Sequence, residues 1–162
     1  MTLSCPQPPD SRTDLPATPP SRSPSVRPQI TAEIEARTGL DDDVLRHLVH
    51  AFYARIRQDP VLGPIFAARI YDWPPHLERM TTFWSSVALM TGRYHGAPVP
   101  KHAGLPIDRT HFDRWLALFR ATADEVCTPV GAAHVAERAE RIARSLHLAV
   151  QDARTTGVPN LT

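Results

Sequence analysis

Apolar residues recur at three- and four-residue intervals from about residue 30 onward, and no stretch alternates as a half-buried strand would. Leu45, Leu48, Val49, Phe52 and Ile56 form one such stripe. Asp41 to Asp43 precede it and offer a cap and favourable first-turn charge. Pro60 and Gly63-Pro64 end this helix, and a short turn runs through Ile65 and Phe66. Pro74-Pro75 suits a helix start, where the missing amide would be unpaired anyway. His76, Met80, Phe83, Trp84 and Val87 then share one helical face. Thr110 with Asp113 approximates a capping box and opens a helix that turns Phe112, Trp115, Leu116, Phe119 and Val126 inward. Pro129 opens the last helix, which buries Val135, Ala139, Ile142, Leu146 and Val150 and frays after Asp152. The pattern predicts an all-α domain of about four substantial helices over residues 30–152.

Two stretches break the period. Residues 91–109 hold glycines, prolines and room for only a few helical residues around His102. Irregular connections longer than about 12–15 residues are usually functional or disordered, and the histidines and aromatic-rich flanks here favour function. Residues 1–29 carry eight of the 17 prolines, interleaved with Ser, Thr and Arg. Too little apolar surface is present to offset the entropy of ordering them, so they read as a disordered tail. Its Pro-Pro-Ser-Arg-Ser-Pro piece, residues 19–24, suits a partner that reads extended polyproline. Residues 153–162 read as a short polar tail.

Composition narrows the function classes. A net charge of +1 gives no reason to expect a nucleic-acid partner or a membrane surface. No apolar run reaches the roughly 20 residues of a membrane span, and Met1 to Asp14 lacks a signal-peptide pattern. Two cysteines are too few for a disulfide framework, so a cytoplasmic protein is expected. The chain has no H-E-x-x-H, no Cys/His cluster, no Gly-rich phosphate loop and no G-x-S-x-G. No carboxylate pair faces inward as a di-iron bundle requires. What remains is a histidine in the long connection, a histidine and a tyrosine on helical stripes, and many large aromatics. Those parts suit a flat apolar cofactor with one axial ligand.

Taken singly, each of these residues has an ordinary reading. On the local pattern His102 is more commonly an exposed loop histidine than a metal ligand. Tyr53 fits a core tyrosine whose hydroxyl reaches the surface as well as a hydroxyl facing a ligand. His76 fits a solvent-facing residue of a first helical turn. Trp115 fits plain core, although a buried indole N–H needs a partner that a ligand can supply.

The segments taken together resemble a known family. Phe52-Tyr53-Ala54-Arg55-Ile56-Arg57-Gln58-Asp59, then Leu62-Gly63-Pro64-Ile65-Phe66, resembles the second helix and following turn of truncated haemoglobins, closest to their group III branch. His76-Leu77 with Phe83-Trp84 resembles that group's distal helix. Tyr94-His95-Gly96-Ala97-Pro98, His102, Leu105-Pro106 and His111-Phe112-Asp113-Arg114-Trp115-Leu116-Ala117-Leu118-Phe119 continue the likeness in order, over roughly residues 41–150. The resemblance implies a truncated globin, a two-on-two helical sandwich around haem b. It implies that His102 is the proximal iron ligand, Tyr53 and Trp115 are distal hydrogen-bond donors, and His76 stands at the distal entrance. Met80, Phe83 and Trp84 line or back the distal pocket, Phe66 packs on the haem face near the turn, and Phe52 joins Phe66, Phe83 and Trp84 as cofactor-binding residues of the haem pocket. Two features depart from the family: Ala103-Gly104 follows His102 where a leucine is common, and the Pro-rich tail lies outside the match. Group I glycine pairs are absent.

The same resemblance implies a monomer that binds dioxygen, carbon monoxide or nitric oxide. Two distal donors suit slow release, and so nitric oxide or peroxide detoxification with a reductase partner, although whether the chain is an enzyme stays open. So does the role of His76, which gates, swings to solvent or ligates iron itself. A haem-transfer or sensor module and a cofactor-free interaction domain are the alternatives.

Overall fold

The computed structural model describes residues 26–157, where seven helices and no strand are found. They are α1 (Arg27–Thr38), α2 (Asp42–Gln58), α3 (Leu62–Ala67), α4 (Trp73–Leu89), α5 (Pro98–Ala103), α6 (Arg109–Val126) and α7 (Pro129–Thr156). The four long ones are the helices expected from the stripes. The Pro-rich stretch 1–25 and residues 158–162 lie outside the described residues. Helical structure begins at Arg27, a little before the expected start near residue 30, and α7 runs past Asp152 to Thr156.

Local chemistry sets the helix ends. Asp41 caps α2 by accepting from the Val44 amide at 2.8 Å, with Asp42 and Asp43 in the first turn. Asp59 closes α2 and accepts the Val61 and Leu62 amides at 3.0 and 2.8 Å, so one carboxylate also starts α3. Arg114 Nε reaches both Asp59 oxygens at 2.8 Å and ties α6 to this corner. The capping box of α6 differs from the Thr110/Asp113 pair expected. Asp108 accepts the Thr110 amide at 2.9 Å, and His111 Nδ1 accepts the Asp108 amide at 3.0 Å. Asp is the better cap, and its extended backbone (φ −129, ψ −173) leaves Thr110 already inside the helix.

Helices α2 and α4 form one layer and α6 and α7 the other, with α2 packed across onto α6 and α5 lying on α7. Leu45, Leu48, Val49, Phe52 and Ile56 are buried as their stripe predicts, against Trp84, Ala88 and Leu89 of α4, Phe119 and Ala123 of α6, and Val135 and Ala139 of α7. Phe119 is the junction. Its ring stacks on Trp84 (4.7 Å between centroids) and Trp115 (5.5 Å), and Phe52 meets it edge-on at 5.2 Å. A second cluster joins Ile107 and Phe112 to Ala143, Leu146 and Val150. No helix among the described residues is long and apolar enough to cross a membrane.

The C-terminal end of α4 is held from outside. Its last carbonyls have no partner within the helix. Arg138 Nε donates to Val87 O at 3.1 Å, His134 Nε2–H to Ala88 O at 2.8 Å, and the Thr31 hydroxyl to Leu89 O at 2.6 Å. Met90 then turns the chain in the left-handed region at φ 60.

At the junction of α1 and α7, a Cβ on Gly131 would stand 2.8 Å from the Thr38 carbonyl oxygen. Alanine in a helix ordinarily gains up to about 1 kcal/mol over glycine. Here the overpacking reverses the sign, and Gly131→Ala is expected to lower stability by roughly 1–3 kcal/mol in urea unfolding. A stabilised variant would show that α1 yields at this contact.

Candidate functional site

Residues of all helices from α2 to α7 line a cavity of about 750 Å3. Its size falls in the roughly 300–1,000 Å3 range of cofactor and ligand sites. His102 reaches it from α5, which lies on α7; Tyr53 and His76 reach it from α2 and α4, which lie on each other.

Proline at the start of α5 and the six-residue length of that helix set His102 one turn above Pro98. His102 Nδ1 is 2.6 Å from the Pro98 carbonyl oxygen. A carbonyl only accepts, so Nδ1 carries the proton, and in the neutral tautomer this leaves the lone pair on Nε2. A metal-ligating imidazole is prepared in this way by its outer hydrogen bond.

Tyr53 is buried on α2, and burial pushes its phenol well above the usual range. It stays protonated and therefore a donor. His76 meets it edge-to-face at 5.2 Å. His76 Nε2 is buried and, among the described residues, lacks a hydrogen-bond partner. Burial pushes its pKa down to about 4, helped by the charges of Arg79 and Lys101, so the imidazole is neutral near pH 7. Leaving such an atom unpaired costs about 1–3 kcal/mol, which a ligand or water in the cavity relieves. An orphaned nitrogen facing a cavity is the mark of a site.

Trp115, Met80, Phe66, Phe83 and Trp84 also line the cavity. Phe52 does not. It is 1% exposed and packs behind Trp115, at 5.4 Å, and against Phe119, so it backs the wall from the core. The stripe that carries Phe52 and Tyr53 turns the first to the core and the second to the cavity. Sequence reasoning gave no role to Tyr94, whose ring abuts Phe83 at 5.1 Å, or to Trp73, which abuts His76 at 5.7 Å. The one-turn spacing of Trp73 and His76 was the available signal. Ile142 and Leu146 of α7 read as plain core and also face the cavity.

Arg69, Arg79, Arg93 and Lys101 stand among the lining residues against one acid, Glu78. A chain with net charge +1 thus gathers cations at this cavity. An apolar plate bearing carboxylates fits such a place. No three His, Cys, Asp or Glu side chains among the described residues gather as a metal cage.

The family model for bacterial-like globins matches residues 37–151. The chain belongs to the bacterial-like globin family. This globin is 31% identical over 109 residues to the group 3 truncated haemoglobin of Campylobacter jejuni, covering 64% of the chain and 86% of that relative. It is 26% identical over 89 residues to a group 2 truncated haemoglobin of Bacillus subtilis, covering 54% of the chain and 67% of the relative. The crystal structure of the Campylobacter jejuni group III truncated haemoglobin matches with a TM-score of 0.65 at 29% identity, over 68% of this chain and 91% of that one. The all-helical architecture is accordingly the truncated-globin fold. Haem-based binding of small ligands, in general terms, comes with membership of the globin family. The free Nε2 of His102, the apolar walls and the cationic surroundings fit that group.

His76 supplies a test of the electrostatics. Its folded pKa, about 4, lies below the 6.5 of an unperturbed histidine, so the unfolded chain takes up a proton first as pH falls. Its contribution to stability is full above pH 6.5 and is lost as pH falls toward 4. In the haem-free protein, NMR titration should give a His76 midpoint near 4, and His76→Leu should flatten the pH dependence of urea unfolding over that window. A midpoint near 6.5 would show that the imidazole is not buried in solution.

Proposed function

We propose that this globin holds haem b and binds dioxygen, carbon monoxide and nitric oxide at an iron ligated by His102. The observation that carries this reading is one apolar cavity lined by a His102 imidazole with its Nε2 lone pair free, a protonated Tyr53 phenol and an unpartnered His76 nitrogen. Haem, when bound, would supply an iron that coordinates diatomic gases and exchanges electrons with them. The sequence holds no C-x-x-C-H motif for covalent attachment, which supports a non-covalently held haem such as haem b.

The chain's own residues would do the rest. Arg79 and Lys101 suit the two carboxylates of the cofactor, while Arg93 is already paired with Asp42 at 2.8 Å. Phe66, Phe83 and Trp84 keep water from its faces. Tyr53 and Trp115 donate O–H and N–H bonds to a ligand that draws negative charge as it binds. Each such bond is worth about 1.5–3 kcal/mol, or roughly ten- to a hundredfold in affinity. Slow release suits scavenging chemistry, the oxidation of nitric oxide or the reduction of peroxide, fed with electrons by a reductase, better than oxygen transport.

A second reading, haem transfer, is favoured by one local feature. Ala103 and Gly104 directly follow the ligand, and with Leu105, Pro106, Ala153 and Arg154 they border a further cavity of about 400 Å3. Small side chains beside a hollow hold the proximal segment less firmly.

Absorption spectra of the reconstituted protein, ferric and then ferrous with carbon monoxide, should show a sharp Soret band that His102→Ala loses or displaces. A band unchanged in the variant moves the ligand elsewhere, and no stoichiometric band removes the haem reading. Tyr53→Phe and Trp115→Phe should each speed dioxygen release roughly ten- to a hundredfold while carbon monoxide release changes less. Equal changes for both gases would argue against hydrogen bonding. Rapid haem loss to apomyoglobin would favour the transfer module.

A further inference from the structure

His76 keeps its inward place without a hydrogen bond at Nε2, so ring packing must hold it there. The packing comes from two sides. Tyr53 lies on the cavity side, at 5.2 Å and an interplanar angle of 86°. Trp73 abuts the imidazole at 5.7 Å and 87°, and it is not among the residues that line the cavity. Trp73 also leans on Tyr53 at 5.9 Å, so the three rings form a closed triangle. The triangle has an outer cover. Arg57, exposed and one turn beyond Tyr53 on α2, sets its guanidinium carbon 4.6 Å from the centre of the Trp73 ring.

We propose that Arg57 and Trp73 form a latch outside the cavity that holds the His76 imidazole inward, so that a stacked cation and indole set how often the distal side opens to ligand. Both are positioning residues that act through His76. The latch joins α2 to the first turn of α4, the end of α4 that carries His76. For the imidazole to swing outward the indole must move, and moving it separates the ring from the guanidinium. The proposal rests on the reading of the cavity as a haem-ligand site.

Flash photolysis of the carbon monoxide complex tests it. Arg57→Gln should raise the bimolecular recombination rate about two- to fivefold, the size expected from losing an exposed cation–π contact. Arg57→Lys, which keeps a cation, should restore most of the original rate, and Trp73→Leu should exceed Arg57→Gln. In a His76→Ala background neither change should matter, because the group they hold is gone. A second measurement needs no haem. In the full chain without cofactor, the His76 ring protons should carry ring-current shifts that diminish in Arg57→Gln and in Trp73→Leu. Unchanged rates together with unchanged shifts would overturn the latch, and so would equal acceleration with and without His76. A protein that takes up no haem would overturn the ligand-site reading, and the ring-proton shifts would still decide whether Arg57 and Trp73 hold His76.

Discussion

The stack of Trp84, Phe119 and Trp115, with Phe52 against its edge, is the contact on which the rest of this globin depends. It joins α2, α4 and α6 at one point, and those helices bring Tyr53, His76 and Trp115 to the cavity. Aromatic pairs in these geometries gain about 0.5–1.5 kcal/mol beyond their burial. More important here, they fix orientation. Trp115 is pinned by Phe119 on its face and Phe52 at its edge, so its remaining edge is left for the cavity. The core and the site are one packing problem with two outcomes.

The side of the cavity that carries His102 is built on a different principle. Helix α5 has six residues and buries none of them fully. It is placed by lying on α7 and by the loop behind it, where Arg154 near the end of α7 donates to the Ile107 carbonyl at 2.7 Å. The Pro98 carbonyl then does locally what a longer helix would do by mass, setting the proton and the plane of the His102 ring.

Much of this was legible before any coordinates. The stripes on α2 and α7 mark buried faces, which is what a 3.6-residue period reports. On α4, by contrast, the stripe of His76, Met80 and Phe83 is half-buried at the cavity, and the buried face is Thr81, Trp84, Ser85, Ala88 and Leu89. Helix α1 was faint because only Ile34 and Thr38 of its residues are buried. The Asp108 cap was missed because Thr110 and Asp113 satisfy a similar spacing two residues on. Among the candidate site residues, periodicity placed Tyr53 and His76 on faces but said nothing about partners. That His76 Nε2 has none is a tertiary fact. His102 shows the limit most clearly, since its local pattern favoured an exposed loop and only the likeness of ordered segments suggested a ligand. Phe52 shows the opposite error, a residue beside Tyr53 in the chain that faces the core.

Helix α4 is clamped at one end only. Side chains from α1 and α7 take the carbonyls of Val87, Ala88 and Leu89, while its first turn, with Asp72 giving no side-chain cap, is steadied by rings and a guanidinium. A rod fixed in this way behaves as a cantilever. Hydrogen bonds hold the end next to Trp84, and ring packing holds the end that carries His76. A change at the weaker end need not disturb the core contact at Trp84, so one helix can hold the core and still yield at the cavity.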